Sequence, residues 1–313
     1  MDRRNFLKAI ALTGAAAAIK DTKAMSVMMQ NFQSKTVSAG AYDLVAVLGG
    51  EPETMFRKAI AEMGGMGKFI KKGDKVVVKP NIGWDKTPEF AANTNPKLVE
   101  EIIRQCFKAG AKEVTVFDHT CDDWKKCYAN SGIEAASKAA GAKVIPAHLE
   151  SYYQEVKLPR GVKLTSTKVH QAIISCDKWI NVPVLKNHGG AQMTISMKNY
   201  MGIVWDRGYF HKNDLQQCIA DVCTYSKPPV LNVVDAYRLM KTSGPRGKSE
   251  ADVVLAKGLF ISQDMVAADT AATNFFNQVR EMPLDRVAYL AKAQQLKVGS
   301  MNMDKMNIKR IKM

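Results

Sequence analysis

Short apolar runs alternate with longer amphipathic segments along the chain from residue 42 onwards. Lys75–Lys79 encloses a continuous apolar run of the kind that parallel sheets favour. Pro96–Ala109 has helical spacing, with proline in its first turn and Gly110 beyond its end. The pattern predicts strands at Tyr42–Leu48, Lys75–Lys79, Val114–Phe117, Lys143–Ile145, Lys178–Val182, Pro229–Val234 and Lys257–Ile261, and helices at Glu53–Met63, Pro96–Ala109, Ile133–Ala140, Met265–Asn277 and Leu284–Leu296.

The middle of the chain departs from this alternation. Glu155–Leu158 and Val162–Leu164 flank a Pro-Arg-Gly sequence, which predicts an antiparallel hairpin that turns on residues 159–161. Because strands and helices otherwise alternate, we predict an α/β fold of three layers, with a mainly parallel sheet and a small antiparallel insertion. Residues 41–313 are expected to form a single domain, and residues 25–40, which show no period, a linker.

Residues 1–24 differ in composition from the rest of the chain. They open with Arg3 and Arg4, followed by Asn-Phe-Leu-Lys, and continue into an alanine-rich stretch from Ala9 to Ile19. A charged start, a short apolar core and small residues before Met25 are typical of a secretory signal. The paired arginines resemble the twin-arginine motif. We therefore expect a signal peptide over residues 1–24, recognition by the twin-arginine export machinery, and an exported, periplasmic protein. The alternative is a basic amphipathic helix on a cytoplasmic protein.

The charge of the chain is strongly positive. The sequence has 45 Lys and Arg against 30 Asp and Glu, which gives a formal net charge of +15. The positive residues are spread along the chain, which suits an anionic small molecule or an acidic surface and disfavours nucleic acid, whose binding proteins usually carry a basic stripe. After the N-terminus no window approaches the ~18 consecutive apolar residues of a spanning helix, so no integral membrane segment is expected in the mature chain.

The six cysteines give no metal-binding pattern. An even number in an exported protein permits disulfides, yet none of the spacings is Cys-x-x-Cys. Cys106 and Cys176 lie in apolar stretches and are expected to be small buried hydrophobic residues. A cysteine zinc site would need spacings that this chain does not have, so no metal site is predicted.

Polar side chains follow five of the predicted strands. Ligands of open parallel sheets bind in the crevice at the carboxyl ends of the strands, so these side chains are expected to surround one crevice. They are Lys79 and Asn81 after the apolar run Val76–Val78 of the second strand, Asp118 after the third strand, Lys186 after Lys178–Val182, Asp235 after Pro229–Val234, and Asp264 after Lys257–Ile261.

The densest polar stretch runs from Pro183 to Gly202. It contains Lys186, His188, Lys198 and Asn199, and its Gly189-Gly190 pair allows close approach of the backbone to a ligand. Lysines with nearby hydroxyls and amides are suited to a phosphate or a carboxylate. A P-loop and a Gly-x-Gly-x-x-Gly pattern after a strand are both missing. The alternative without function is that Lys186 and Lys198 are solvated surface lysines, and that His188 only forms a hydrogen bond with a neighbouring carbonyl group.

Two carboxylates open the helix predicted at Met265–Asn277. Asp264 is placed to cap the helix, which is a structural role. Asp269 lies about one turn later, where it could bind a cation or neutralise a lysine. Near them in sequence, residues 244–247 predict a turn that presents Arg246.

Taken together, these segments resemble the family catalogued as domain of unknown function 362. The matching pieces occur in order over about residues 42–310: Lys79-Pro80-Asn81, Thr94-Asn95-Pro96, the strand ending at Asp118, the Pro183-to-Gly202 stretch, Gly244 to Gly247, and Asp264 to Asp269. Some members of the family carry a ferredoxin-like cysteine module, which this chain lacks. The resemblance implies an α/β fold and a relationship to the members of this family. The family name does not assign a reaction.

The functional expectation is an exported protein whose crevice binds an anionic small molecule or an anionic cofactor of unknown identity. In an enzyme, Lys79, Lys186 and Lys198 would supply positive charge, Asn81 and Asn199 would orient the ligand, and His188 would transfer protons. The catalytic candidates are therefore His188, Lys186 and Lys198. The ligand-binding candidates are Lys79, Asn81, Asp118, Gly189, Gly190, Asn199, Asp235, Asp264 and Asp269. The alternative is a non-catalytic periplasmic binding or accessory protein that uses the same crevice.

Overall fold

A computed structural model describes Ser38 and residues 40–313. The strands in this part of the chain are β1 (Leu44–Leu48), β2 (Lys75–Pro80), β3 (Glu113–Val116), β4 (Lys143–Val144), β5 (Tyr153–Lys157), β6 (Ser166–His170), β7 (Lys178–Val182), β8 (Val184–His188), β9 (Gln192–Thr194), β10 (Leu231–Met240), β11 (Val253–Ser262) and β12 (Ile308–Lys312). Ten of them form one sheet in the order β12-β1-β11-β10-β7-β2-β3-β4, with β8 paired to β10 and β9 paired to β8.

Helices cover both faces of this sheet. They are α1 (Pro52–Glu62), α2 (Pro96–Lys108), α3 (Trp124–Asn130), α4 (Ile133–Ala139), α5 (Gln171–Ser175), α6 (Ser196–Asn199), α7 (Gly208–Lys212), α8 (Leu215–Val222), α9 (Met265–Val279) and α10 (Tyr289–Gln295). On one face, α1 to α4 pack with Val76 and Val78 of β2. On the other face, α5 to α10 pack with Val77 of the same strand. Because successive strand residues point to opposite faces, β2 contributes to both cores, and the predicted three-layer α/β fold is confirmed.

The small antiparallel insertion is confirmed, but its predicted second strand is wrong. β5 pairs antiparallel with β6, from Tyr153 opposite His170 to Lys157 opposite Ser166. The predicted strand Val162–Leu164 lies in the loop between them. Asp221 holds this loop, since its carboxylate accepts hydrogen bonds from the amides of Lys163 and Leu164. The tight turn on residues 159–161 therefore widens into an eight-residue connection over residues 158–165. The predicted helix Leu284–Leu296 is likewise divided, into a short 3-10 turn at Leu284–Arg286 and α10.

The direction of β11 decides which strand ends meet. Pairing is parallel between β7 and β10, between β2 and β7, between β2 and β3 and between β3 and β4. β11 is antiparallel to both of its neighbours, β1 and β10. Its carboxyl end therefore lies at the opposite edge of the sheet from the carboxyl ends of β2, β3 and β7. The expectation that all five strand ends converge is wrong for this strand.

Some of the expectations from the sequence concern residues outside the described part of the chain, and others remain predictions. The proposed signal peptide and nearly all of the linker fall outside the described residues, and the single domain stays a prediction. All six cysteines are free thiols, with Cys121 exposed and the other five buried. In the described residues, no helix has the length and apolar character needed to span a bilayer.

Candidate functional site

A cavity of about 400 Å³ lies beside the ends of β2, β3 and β8. We call it the lysine cavity, after Lys186 and Lys198. Its lining consists of Asn81, Gly83, Trp84, Asp118, His119, Cys121, Lys186, His188, Thr194, Lys198, Asn199, Met201, Gly202, Arg207, Gly208, His211 and Pro245. The structure thus brings six of the predicted site residues to one cavity, from the ends of β2 and β3 and from the Pro183-to-Gly202 stretch.

The β8–β9 hairpin explains how the Pro183-to-Gly202 stretch presents its side chains. β8 and β9 pair antiparallel, with Lys186 opposite Thr194 and His188 opposite Gln192. Residues two apart in a strand share a face, and directly opposed residues lie side by side. Lys186, His188 and Thr194 therefore face the cavity together. The Thr194 hydroxyl is buried and has no hydrogen-bond partner among the described residues, which leaves one polar group at the cavity unsatisfied.

Lys79 and Asp118 form a buried ion pair at the base of the cavity. The distance from Lys79 Nζ to Asp118 Oδ1 is 2.7 Å, and both side chains are almost fully buried. Burial lowers the pKa of Lys79, while the Asp118 charge acts in the opposite direction. Gly202 packs against this pair so closely that a Cβ at residue 202 would overlap Asp118 Oδ1 and crowd Lys79 Nζ. The charge of Lys79 is therefore neutralised within the protein.

Asn199 links the base of the cavity to the centre of the sheet. Its Oδ1 accepts hydrogen bonds from Lys79 Nζ at 2.9 Å and from Asn81 Nδ2 at 3.0 Å. Its Nδ2 donates to Asn181 Oδ1 at 2.8 Å, and Asn181 in turn donates to Asn232 Oδ1 at 3.0 Å. Buried amide networks with their groups satisfied hold their members in one geometry. Asn81 and Asn199 are thus rigid parts of the cavity wall.

Lys186 and Lys198 are the two lysines that line this cavity, and neither forms an ion pair with a carboxylate of the described residues. Lys186 Nζ donates to Asn81 Oδ1 at 3.2 Å and to the carbonyl oxygen of Ala92. Lys198 Nζ makes no hydrogen bond or ion pair with any described residue. Burial lowers the pKa of Lys186 to about 7 and that of Lys198 to about 8, because a charged amine is costly away from water.

His188 is held as a neutral imidazole. Burial, reinforced by Lys198 and Lys186, lowers its pKa to about 2. Its Nδ1 lies 3.1 Å from the amide nitrogen of Ala191 and accepts that hydrogen bond, so the proton of the neutral ring is on Nε2. Near neutral pH, His188 is therefore suited to donate a hydrogen bond from Nε2, and it is poorly suited to the proton transfer expected from the sequence. Lys186 is the candidate catalytic residue whose pKa lies nearest neutrality.

Asp269 positions Lys198 from outside the cavity. Its carboxylate accepts hydrogen bonds from the amides of Ser196 and Met197, at 2.8 and 2.9 Å, and so caps the first turn of α6. Lys198 and Asn199 follow directly on that short helix. Burial raises the pKa of Asp269 to about 7. Asp269 therefore supports the site and does not line the cavity.

Four other predicted ligand-binding residues lie away from the cavity lining. Asp235 falls within β10, which continues to Met240, and it accepts hydrogen bonds from the amides of Asn95 and Tyr237. Asp264 lies at the opposite edge, where it caps α9 and accepts a hydrogen bond from the amide of Ser300. Gly189 and Gly190 are exposed at the tip of the β8–β9 hairpin. The amide of Gly189 donates to the carbonyl oxygen of Gly244 at 3.3 Å.

Comparison with known proteins places the chain in a family. Residues 76–274, more than half of the chain, match the family described as Domain of unknown function (DUF362). The chain belongs to this family. It is 23% identical to the thylakoid-associated protein sll1697 of Synechocystis over 226 residues, which cover 70% of this chain and 68% of that protein.

The chain is also similar to a solved structure, that of the lactate racemase apoprotein from Thermoanaerobacterium thermosaccharolyticum. The TM-score is 0.48 and the sequence identity is 11%. The similarity covers 79% of this chain, which spans 60% of the length of that protein.

The range matched by the DUF362 family contains all of the cavity lining, including residues that strand ends do not identify. Arg207 donates to the carbonyl oxygens of His119 and Thr120, at 2.8 and 2.6 Å, and lies 3.3 Å from Cys121 Sγ. Arg207 precedes α7 and follows no strand, so the rule that ligands bind at strand ends does not identify it. The aromatic and basic residues between Trp205 and His211 were the available signal. Within the described residues, no group of three or more His, Cys, Asp and Glu side chains is placed to hold a metal ion.

Proposed function

We propose that this DUF362 protein is exported and binds a small anionic molecule, or an anionic cofactor, in the lysine cavity. The observation that carries the proposal is the pair of amines, Lys186 and Lys198, that converge on this cavity without a carboxylate partner. Lys79, by contrast, is neutralised by Asp118 at 2.7 Å. An anion would supply the counter-charge that the two amines lack.

The remaining cavity groups suit the same ligand. The unpaired Thr194 hydroxyl, the Nε2–H of His188 and the Arg207 guanidinium are all hydrogen-bond donors at the cavity lining. Hydrogen bonds between a charged donor and a carboxylate or phosphate are roughly twice as strong as neutral ones. A phosphate or carboxylate group would therefore satisfy the hydroxyl of Thr194 and both lysines at once.

Changing Lys198 to methionine is expected to weaken anion binding by about 10- to 100-fold, because a charge-assisted hydrogen bond contributes roughly 1.5–3 kcal/mol. Methionine keeps much of the apolar stem, so the folded protein should remain stable. Titration calorimetry with phosphate, sulfate and small carboxylates measures the affinity of both proteins.

Lys212→Met is the matched control for this change. Lys212 ends α7, is exposed, and does not line the cavity, yet its substitution removes the same charge from the same region. Equal loss of affinity in the two variants would mean that only the overall charge attracts the anion. Equal affinity in the Lys198→Met variant and the unmodified protein would contradict the proposed site.

Export makes a separate prediction. Changing Arg3 and Arg4 together to lysine keeps the positive charge and removes the paired arginines that resemble the twin-arginine motif. Unprocessed precursor is then expected to accumulate in the cytoplasm, as measured by cell fractionation and by the mass of the product. Normal processing and periplasmic recovery of this variant would be incompatible with twin-arginine export.

Catalysis by proton transfer is a second candidate, and Lys186 is the residue that favours it. Its amine lines the cavity and has a pKa lowered to about 7, so both of its protonation states are populated near neutral pH. Non-catalytic binding requires only the protonated form. If the protein is an enzyme, Lys186→Met should lose turnover, and Lys198→Met should lose affinity for the anion. If it is a binding protein, both variants should lose affinity for the anion.

A further inference from the structure

A second cavity, of about 760 Å³, adjoins the lysine cavity. We call it the tryptophan groove, because Trp205 lies in its wall. Three residues, His119, Arg207 and Gly208, line both the groove and the lysine cavity. The two cavities are therefore adjacent and share these three residues as a common wall. A molecule that occupied both cavities would contact Arg207.

Trp205 presents a planar aromatic surface at this groove. Its ring stacks on the His119 ring with an interplanar angle of 1° and a centroid distance of 5.1 Å, and Tyr153 packs against it at 5.5 Å. Burial, with Arg207, lowers the pKa of His119 to about 4, so this imidazole is neutral near pH 7. The indole of Trp205 is partly buried and lines the groove, and its contacts with His119 and Tyr153 fix the orientation of its ring.

The groove differs from the lysine cavity in its charge. Glu150 is paired with Lys168 at 2.6 Å, Glu155 lies opposite the same lysine in the β5–β6 pairing, and Asp206 has no ion pair among the described residues. Asp206 also accepts a hydrogen bond from the amide of Tyr209 at 3.0 Å. Carboxylates accept hydrogen bonds from hydroxyl and amino groups and repel anions. The anionic part of a ligand therefore belongs in the lysine cavity, and a part rich in donors belongs in the groove.

We propose that the ligand of this protein is an anion that carries a planar ring and hydrogen-bond donors. Its phosphate or carboxylate binds Lys186, Lys198 and Thr194, and its ring stacks at Trp205, with hydroxyl or amino groups directed to Glu155 and Asp206. This inference rests on the proposed function, since it assigns the anion to the same cavity. It adds the chemical class of the ligand and a second subsite.

Two matched pairs of phosphates test the ring subsite by titration calorimetry. 5′-AMP and ribose 5-phosphate differ by a base, and phenyl phosphate and methyl phosphate differ by a benzene ring. In at least one pair, the ring-bearing phosphate is expected to bind about tenfold tighter, which is the scale of stacking on an aromatic side chain. Trp205→Leu should remove that preference and leave the affinity for the ringless phosphate unchanged, whereas Trp205→Phe should keep most of it.

Ser166→Trp provides an independent variant in case Trp205→Leu fails to fold. Ser166 is exposed and lines the groove, so a large side chain there should block the ring subsite without disturbing the core. If the ringless phosphates bind and depend on Lys198, but no ring-bearing phosphate binds tighter, the proposed function holds and the ring subsite is refuted. A ring preference unchanged in the Trp205 and Ser166 variants also refutes it. If no phosphate of either pair binds, this inference and the phosphate form of the proposed function fail together.

Discussion

Replacing Asp118 with alanine is expected to lower the free energy of unfolding by about 3–5 kcal/mol, which is the usual cost of leaving one partner of a buried ion pair uncompensated. Lys79 is fully buried and lies 2.7 Å from the Asp118 carboxylate. The substitution also removes the acceptor for the amide of Ile82, which donates to Asp118 Oδ2 at 2.6 Å. Denaturant unfolding followed by circular dichroism measures the change.

Two further variants separate the charge effect from simple loss of packing. Adding Lys79→Met to Asp118→Ala removes the stranded amine, so the double variant should be more stable than Asp118→Ala alone. Glu134→Ala breaks the exposed Glu134–Lys138 pair on α4 and should leave stability almost unchanged. If Asp118→Ala is no more harmful than Glu134→Ala, the buried pair is not a structural element of the site.

The sequence was sufficient to predict the layers of the fold and a large part of the cavity. Continuous apolar runs such as that of β2 identify buried parallel strands, and their carboxyl ends correctly place Asn81 and Asp118 at one edge. The apolar pattern of a single strand carries no information about its direction, however. The sequence of β11 resembles those of the parallel strands β2 and β7, but β11 runs antiparallel to both of its neighbours, and Asp264 therefore lies at the other edge of the sheet.

The electrostatic roles within the site were not predictable from residue types. Lys79, Lys186 and Lys198 look alike in the sequence, but the fold pairs Lys79 with Asp118 and leaves the other two without a carboxylate. That difference depends on contacts between residues far apart in the chain. His188 was an attractive acid–base residue by type, yet burial and the nearby charges of Lys198 and Lys186 depress its pKa. Arg207 and Trp205 follow no strand, and only the fold shows that Arg207 lines the lysine cavity and that both residues line the tryptophan groove.

The affinity for an anion is expected to fall by about 100-fold or more between pH 6 and pH 9, since each unit above the pKa of an amine reduces its protonated fraction roughly tenfold. In the free protein the pKa of Lys186 is lowered to about 7 and that of Lys198 to about 8. Both amines are therefore largely charged at pH 6 and largely neutral at pH 9. A lysine with an ordinary pKa would remain charged over the whole range.

Sulfate is the appropriate probe for this dependence, because its own charge does not change between pH 6 and pH 9. Binding should be accompanied by proton uptake above pH 7, which calorimetry detects by comparing buffers of different ionisation enthalpy. In Lys186→Met the remaining dependence should begin nearer pH 8, because Lys198 is then the lysine at the cavity that titrates in this range. A sulfate affinity that stays constant from pH 6 to pH 9 in the unmodified protein would contradict the combination proposed here, in which the anion is bound by two amines whose pKa values are lowered to about 7 and about 8.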